Sequence, residues 1–184
     1  MRIIAGEWRG RAIKAPPGET TRPSSDRLRE TLFSMLASRL GSFEGLSAAD
    51  LFAGSGALGL EALSRGCASC LFVEQDKRAV EAIRANIKTL EAGPRASVNQ
   101  GSALSLGPAK QPHDLILLDP PYDTGAGAVA IDRLVRLGWI GPATWVSLEV
   151  GAKETPRIER MAVDTERKVG KAKLLLLRLA RSEE

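Results

Sequence analysis

The sequence predicts a doubly wound α/β fold, in which a mostly parallel sheet of seven strands ends in an antiparallel hairpin. Strand-like and helical runs alternate from residue 46 onward, which is the pattern of parallel strands joined by crossover helices. The run Leu115–Leu118 is apolar at every position, as expected of a strand buried on both faces. Residues 160–167 and 173–179 are strand-like runs around Gly170 with no helical pattern between them, which predicts the closing hairpin.

A short extension precedes the alternating region. Residues 2–14 hold two apolar-containing runs around Gly6 and Gly10, which predicts a small hairpin with a glycine-bearing turn. The Pro-Pro-Gly sequence at residues 16–18 breaks regular structure and ends the hairpin.

A helix is expected next, with Ser25 or Asp26 as its N-terminal cap. Its apolar positions follow helical spacing: Leu28, Leu32, Phe33 and Leu36. We expect residues 1–45 to be a hairpin-helix extension that does not fold independently, and residues 46–184 to form the main domain.

The remaining elements follow in regular order. Strands are predicted at residues 46–52, 70–73, 96–99, 115–118 and 144–150. Helices are predicted between them at residues 58–65, 76–91 and 128–137. Because parallel strands end at one edge of such a sheet, a ligand site is expected in the loops that follow them.

The positive charge of the chain is concentrated at its start. The formal net charge is +4, and residues 1–40 alone hold eight Lys/Arg against four Asp/Glu. A basic front end on a near-neutral body suits a polyanionic partner such as RNA. The residues predicted to contact phosphates are Arg9, Arg11, Lys14, Arg22 and Arg27. Arg29 and Arg39 lie further along the helix and are expected in solvent.

Other sequence features exclude several functions. The longest apolar run is far too short to span a bilayer and no secretory signal is visible, so we expect a cytoplasmic protein without a membrane partner. Cys67 and Cys70 follow a helix end at Gly66 instead of beginning a helix, which argues against a redox pair. The single histidine, His113, is predicted at the surface, and we predict no metal site.

Glycines gather where the first strand meets its helix, at Gly54, Gly56 and Gly59. They let the backbone approach a ligand closely, although they could also serve only to turn a tight corner. Glu74 ends the next strand, where its carboxylate can accept hydrogen bonds from both hydroxyls of a ribose. The spacing also fits a dinucleotide fingerprint. Asp50 favours S-adenosylmethionine, because acid-x-x-x-G-x-G is typical of its binders, in which the acid helps to hold the amino-acid end.

The sequence Asp119-Pro120-Pro121-Tyr122 directly follows the buried strand Leu115–Leu118. It resembles the signature of methyltransferases that act on an NH2 group attached to a planar conjugated ring. The lone pair of such an amine is delocalised, and the Asp119 carboxylate and the Pro120 carbonyl can accept its two N–H bonds and so favour a pyramidal nitrogen. The prolines stiffen the loop, and Tyr122 offers a face on which an unstacked base can lie.

Two N-terminal stretches narrow this resemblance. Residues 2–11 and 22–33, with the glycine loop, the F-V-E-Q-D stretch at 72–76 and D-P-P-Y, resemble the bacterial 16S rRNA guanine-N2 methyltransferases that modify guanine-966. The resemblance covers nearly the whole chain. It implies a Rossmann-like class I methyltransferase fold, S-adenosylmethionine as methyl donor, and a guanine of 16S rRNA as substrate, within the small subunit or its assembly intermediate. We expect a monomer.

The resemblance also implies site residues. The cofactor-binding residues would be Asp50, Ala53, Gly54, Gly56, Glu74, Gln75, Ser102 and Ala103, and residues 119–122 would frame the target amine. Many relatives place an acid beside the adenine amine after the third strand, where this chain has Ser102, whose hydroxyl could accept a hydrogen bond instead. Trp8 could stack on a base or close the hairpin.

Three other functions remain open from the sequence. D-P-P-Y suits a DNA adenine-N6 methyltransferase equally well, although duplex DNA usually requires an added recognition module and only about 40 residues lie outside the core. An NAD-linked oxidoreductase would explain the glycine loop but not D-P-P-Y. A non-catalytic RNA-binding module with an inherited pocket would leave Asp119 and Tyr122 unexplained.

Overall fold

The computed structural model describes residues 1–18 and 23–182. Within them lie the helices α1 (Pro23–Leu40), α2 (Ala57–Ser64), α3 (Lys77–Thr89) and α4 (Ala126–Arg136). The strands are β1 (Ser47–Leu51), β2 (Ser69–Glu74), β3 (Ala96–Gln100), β4 (Leu115–Leu118), β5 (Trp145–Gly151), β6 (Met161–Val169) and β7 (Ala172–Leu179). Short 3-10 turns occupy Gly93–Arg95 and Ala103–Ser105.

The seven strands form one sheet in the order β3-β2-β1-β4-β5-β7-β6. The first five are parallel, and β7 pairs antiparallel with both β5 and β6. The predicted doubly wound sheet with its antiparallel C-terminal hairpin is confirmed. Strand order reverses between β1 and β4, and ligands of such sheets bind at this switch point.

Side chains alternate between the two faces of the sheet and build two apolar cores. One core joins α1, α2, α3 and the N-terminal segment to one face, through residues such as Phe33, Leu60, Ile83 and Phe72. The other core joins α4 to the opposite face. The four residues of β4 are fully buried, as their continuous apolar character predicted.

The N-terminal hairpin is smaller than predicted. One antiparallel bridge joins Arg2 to Ala12, and the residues between them form turns instead of strands. Trp8 is buried in the core, with 6% of its surface exposed, and the Arg95 guanidinium lies 5.2 Å above its ring. The side chain therefore closes the hairpin onto the domain, and the alternative that it stacks on a base is wrong in this structure.

The first helix also corrects the sequence analysis. It begins at Pro23, ahead of the predicted caps Ser25 and Asp26, and proline suits the first turn because its missing N–H has no partner there. Arg29 is buried, not solvated, whereas Arg39 is exposed as predicted and forms an ion pair with Asp164 at 2.6 Å. Both arginines meet acidic residues from distant parts of the chain, which helical spacing alone does not show.

The burial of the histidine and of the two cysteines also bears on the sequence analysis. His113 is half-buried instead of exposed, because its ring stacks on Trp139 at 5.1 Å. Cys67 and Cys70 are both buried, and burial raises the pKa of the Cys67 thiol to about 12. In the described part of the chain, no helix is both long and apolar enough to cross a bilayer.

Candidate functional site

A cavity of about 480 Å³ opens at the carboxyl ends of the parallel strands. This volume lies in the range of small-molecule sites. Nine of the predicted site residues line it: Asp50, Ala53, Gly54, Glu74, Gln75, Ser102, Ala103, Asp119 and Pro121. Residues that are far apart in sequence are brought together because the loops after β1, β2, β3 and β4 meet at one edge of the sheet.

The glycine loop turns sharply between β1 and α2. Phe52, Gly54 and Gly56 all have positive φ angles, of 60°, 57° and 81°, and the phenylalanine is a rare case of this conformation outside glycine. A Cβ at Gly54 would meet no atom within 4 Å, so the backbone there faces open space. A Cβ at Gly59 would lie 2.4 Å from the ring of Phe72, so this glycine serves helix–sheet packing.

Glu74 is fixed beside the loop. Its Oε1 accepts a hydrogen bond from the Gly54 amide at 2.9 Å, and its Oε2 accepts one from the Asp76 amide at 2.8 Å. A carboxylate has about four acceptor sites, so each oxygen can still accept a bond from a ligand. The predicted ribose-binding residue is therefore held in one orientation toward the cavity.

Asp50 is the most deeply buried acid of the cavity, with 1% of its surface exposed. Its Oδ2 accepts a bond from the Gly59 amide at 2.9 Å, whereas its Oδ1 is buried without a hydrogen-bond partner. Burial raises the pKa of Asp50 to about 8. A cationic ligand group in the cavity would supply the partner that Oδ1 lacks.

The charges around the cavity indicate the class of ligand. Three carboxylates line it besides the buried acid Asp50, from Glu74, Asp119 and Glu149, whereas the basic side chain among the lining residues, Arg29, is paired with acids. Such a lining favours a cation, and it repels the pyrophosphate of a dinucleotide. The arrangement fits the sulfonium and ammonium of S-adenosylmethionine and disfavours the NAD alternative.

The D-P-P-Y loop follows β4 and lies beside the glycine loop, which follows the neighbouring strand β1. Asp119 and Pro121 line the cavity, and Pro120 is buried against α4, where a Cβ at Gly127 would lie 3.1 Å from its Cγ. Tyr122 is 41% exposed, and its hydroxyl donates a hydrogen bond to Glu149 Oε2 at 2.5 Å. Burial, this bond and the neighbouring carboxylates raise the pKa of Tyr122 well above its usual value.

Two acids that the sequence analysis missed hold this loop. Glu149 lies near the end of β5 and lines the cavity. Glu154 accepts bonds from the amides of Asp123 and Gly151, and so ties the loop after Tyr122 to the end of β5. A single acid near the carboxyl end of the apolar strand Trp145–Gly151 was the signal that could have identified Glu149.

The N-terminal segment and α1 also reach the cavity. Met1, Ala15, Ser25, Leu28 and Arg29 line one side of it. The fully buried Glu61 of α2 ties this region down, because its carboxylate accepts bonds from the amides of Ile4 and Ala5 and pairs with Arg29 and Arg65. An acid within the otherwise apolar helix ALGLEALS was the signal that pointed to it.

Asn86 makes a second link between the same regions. Its side-chain amide donates bonds to the carbonyls of Lys14 and Ser55, at 2.9 and 3.0 Å, and its Oδ1 accepts a bond from the Lys14 amide at 2.8 Å. The Asn86 side chain therefore links the N-terminal segment to the glycine loop.

The predicted phosphate contacts are not brought to the cavity. Arg9, Arg11, Lys14 and Arg27 are exposed, and Arg22 lies outside the described residues. The Arg11 guanidinium donates to the carbonyl of Thr89, the last residue of α3. With a rise of 1.5 Å per residue, this end of α3 lies about 20 Å from the end that adjoins Glu74.

Ser102 lines the cavity after β3, and its hydroxyl oxygen accepts a bond from the Leu104 amide at 3.1 Å, which caps the following 3-10 turn. The hydroxyl hydrogen remains available to a ligand acceptor. Across residues 1–18 and 23–182, no group of three or more His, Cys, Asp or Glu side chains is placed to hold a metal ion.

Comparison with solved structures defines the class of protein. The E. coli protein yhhF matches with a TM-score of 0.85 at 35% identity, covering 99% of each chain. A ribosomal protein L11 methylase from Lactobacillus delbrueckii (TM-score 0.72, 19% identity, 94% and 87% covered) shares the fold. So does magnesium protoporphyrin IX methyltransferase from Synechocystis with bound SAM (0.66, 12% identity, 89% and 87% covered). The chain has the Rossmann-like class I methyltransferase fold.

Sequence comparison then gives the family. The family model described as "Conserved hypothetical protein 95" matches residues 1–178. Ribosomal RNA small subunit methyltransferase D from E. coli K12 is 39% identical over 149 residues, which are 81% of this chain and 74% of the relative. The Haemophilus influenzae protein of the same name is 39% identical over 162 residues, 86% and 82% of the two chains. The chain belongs to this family, which confirms the resemblance identified from its motifs.

Proposed function

We propose that this protein transfers a methyl group from S-adenosylmethionine to the exocyclic N2 amine of a guanine in 16S rRNA of the small subunit. The observation that carries the proposal is that Asp119 of D-P-P-Y opens onto the same cavity as Asp50, Gly54 and Glu74. A cofactor held by the glycine loop and an amine held by D-P-P-Y would then meet inside one enclosure.

The cofactor would bind in the cavity at the carboxyl ends of the parallel strands. Glu74 would accept bonds from the ribose hydroxyls, since both of its oxygens are already oriented by backbone amides. Asp50 would face the ammonium end, since its Oδ1 lacks a partner. Ala53, Gly54 and Gln75 would contact the cofactor at the loop, and Ser102 and Ala103 would lie beside the adenine. Gly56 supports the loop from behind, as the cap residue of α2.

The reaction depends on how the chain holds the amine. When bound, S-adenosylmethionine supplies an electrophilic methyl group on a positively charged sulfur, which leaves as a neutral thioether. The Asp119 carboxylate and the Pro120 carbonyl accept the two N–H bonds, favour a pyramidal nitrogen and direct its lone pair toward the methyl carbon. Positioning supplies most of the acceleration, and the methylated nitrogen is acidic enough to lose its proton without a strong base.

RNA docking would use the exposed basic residues of the N-terminal extension. Arg27 lies in α1 between the cavity-lining residues Ser25 and Leu28. Arg9 and Arg11 lie near the C-terminal ends of α2 and α3, away from the cavity. RNA that contacts both regions must extend about 20 Å along the helical face, which suits a folded loop of rRNA better than a single flipped nucleotide. We retain residues 1–45 as the docking extension, Arg22 included, and residues 46–184 as the methyltransferase domain.

Asp119→Asn tests the assignment of the active site. We expect a loss of most methyl transfer to small-subunit particles, with S-adenosylmethionine affinity within a few fold of the wild-type value, because the partner of Asp119 is the amine. Single-turnover transfer of labelled methyl groups and calorimetry measure the two quantities. Asp132→Asn, on the outer side of α4, is the matched control and should keep full activity. Near-normal turnover by Asp119→Asn would contradict the proposed role of D-P-P-Y.

The target base needs its own measurement. Mass spectrometry of 16S rRNA from a strain without the gene should show one N2-methylguanine fewer, and the purified protein with S-adenosylmethionine should restore it. Restored N6-methyladenine in DNA, with rRNA unchanged, would instead support the adenine alternative.

A further inference from the structure

We propose that Glu149 selects guanine as the base to be methylated, by accepting a hydrogen bond from the ring N1–H that adjoins the reacting amine. The inference rests on the proposed methyl transfer to a base amine, and adds the residue that decides which base is accepted. Glu149 stands outside D-P-P-Y and outside the glycine loop, yet its carboxylate lines the same cavity as Asp119.

The position of Glu149 follows from the register of the sheet. Leu118 of β4 pairs with Leu148 of the parallel strand β5, and Asp119 and Glu149 are the next residues after this pair. Neighbouring strands lie about 4.8 Å apart, and paired residues of parallel strands point to the same face. The two acids therefore follow adjacent strands at the same edge of the sheet, and both line the cavity in which the amine would bind.

The hydrogen-bonding groups of the bases indicate which base this pair of acceptors would bind. Guanine, adenine and cytosine each carry an exocyclic amine. In guanine the ring nitrogen N1 beside the amine carries a hydrogen, whereas N1 of adenine and N3 of cytosine are acceptors. Two adjacent carboxylates match the two neighbouring donors of guanine. Against adenine or cytosine, the second carboxylate would face the lone pair of a ring nitrogen, which repels it, and would gain no hydrogen bond from the base.

Tyr122 holds the Glu149 carboxylate in place for this task. Its hydroxyl donates to Oε2 at 2.5 Å, a length typical of a hydrogen bond to a charged oxygen. A carboxylate has more acceptor sites than this one bond uses, so Glu149 can also accept the N1–H. The same bond places the acid next to the tyrosine ring on which the base is proposed to lie.

The experiment uses 2-aminopurine, which keeps the amine at C2 but has no hydrogen on N1. The methylated position of 16S rRNA is first located by mass spectrometry with the wild-type protein. Particles are then assembled with rRNA ligated from a synthetic segment that carries guanine or 2-aminopurine at that position. We expect the wild type to prefer guanine in kcat/KM. Glu149→Gln should reduce this preference about tenfold or more, because a charged acceptor is lost and an amide can instead donate to an unprotonated N1.

Tyr122→Phe is the matched control, because it deletes the hydroxyl and keeps the acid. It should lower kcat/KM for both bases and should reduce the preference for guanine by less than Glu149→Gln does, because the carboxylate is kept and only its hydrogen bond from Tyr122 is lost. Intrinsic reactivities of the two bases cancel in the comparison between variants. Calorimetry should show S-adenosylmethionine affinity unchanged in both variants, which excludes a collapsed site.

The outcomes separate this inference from the proposed function. If Glu149→Gln lowers both rates equally and keeps the preference, Glu149 acts only by positioning Tyr122 and the inference is wrong. If the wild type methylates the two bases equally well, the inference is wrong although guanine-N2 methyl transfer stands. If the wild type modifies no base of the particle, the proposed function itself fails.

Discussion

Asp50 illustrates how a single buried residue can link cofactor binding to pH. Burial raises the pKa of its carboxyl group to about 8, from an ordinary value of 3.8. The folded chain therefore holds a proton that the unfolded chain releases between these values. Asp50 contributes most to stability below about pH 4, and this contribution is lost as the pH rises through 8. A cation beside Oδ1 favours the ionised form and should release that proton.

We therefore predict that S-adenosylmethionine binds more tightly as the pH rises from 6 to 7.5. The affinity should increase by up to about tenfold per pH unit, since the ionised fraction of Asp50 grows by that factor below its pKa. Calorimetry in two buffers of different ionisation enthalpy measures both the affinity and the released proton. Asp50→Asn should bind weakly and without this dependence, and Asp132→Asn should behave as the wild type. A flat profile in the wild type would contradict the role given to Asp50.

Individual residues show which local inferences the sequence supports. Gly54, Glu74 and Asp119 were each predicted from the local pattern of a strand and the loop that follows it. All three line the cavity. Arg29 was wrongly expected in solvent because its partner Glu61 is distant in sequence. The role of Trp8 was left open for the same reason, since its partner is Arg95. Local periodicity identifies the buried face of a helix, but it does not reveal which charged groups meet across elements.

Among the helices, α2 is the point at which the N-terminal extension is attached. Its Glu61 carboxylate is fully buried and accepts bonds from two backbone amides while it pairs with Arg29 and Arg65. Removing this acid would leave the amides of Ile4 and Ala5 without their acceptor and the buried Arg29 guanidinium without one of its two acidic partners. The cost of such a change exceeds that of breaking an exposed ion pair.

Glu61→Ala should accordingly lower the free energy of unfolding by about 3–5 kcal/mol, the range for one partner removed from a buried pair. Urea unfolding followed by circular dichroism measures the change. Glu81→Ala, on the exposed side of α3, is the control and should stay within about 0.5 kcal/mol of the wild type. A similar loss in both variants would show that Glu61 has no special structural role.

Element boundaries were predictable where the pattern was continuous and the flanking residues were distinctive. The buried strand Leu115–Leu118 was predicted to the residue, and α3 within two residues at each end. The start of α1 was set three or four residues too late, and the hairpin was overestimated because its turns carry apolar side chains that pack on α2. Apolar residues in a turn can resemble a strand when the packing partner is unknown.

The charge of the whole molecule is distributed unevenly, and this distribution should govern RNA binding. Substituting Arg9, Arg11 and Lys14 by Ala should raise the apparent KM for small-subunit particles and leave S-adenosylmethionine affinity almost unchanged. The salt dependence should flatten by about two units of slope if all three contact phosphates, because fewer counterions are released. Binding measured from 50 to 200 mM salt tests this.

A triple substitution of Arg167, Lys168 and Lys171 by Ala is the control for charge alone. These residues are exposed on β6 and the turn to β7, at the opposite edge of the sheet. If both triple variants flatten the salt dependence equally, attraction is non-specific and the extension is not the docking surface. If the N-terminal variant also loses the cofactor, the extension serves the cavity and not RNA.

The position of β7 has a consequence for the order in which the molecule can be made. Among the described residues it is the last strand in sequence, yet it lies inside the sheet between β5 and β6, and its Leu174 and Leu176 share a core with Phe33 and Leu36 of α1. During synthesis, the apolar surfaces of β5 and α1 that β7 covers stay exposed to water until residues 172–179 have left the ribosome. A nascent chain that lacks β7 is therefore prone to aggregate, and the native sheet forms only after residues 172–179 have been synthesised.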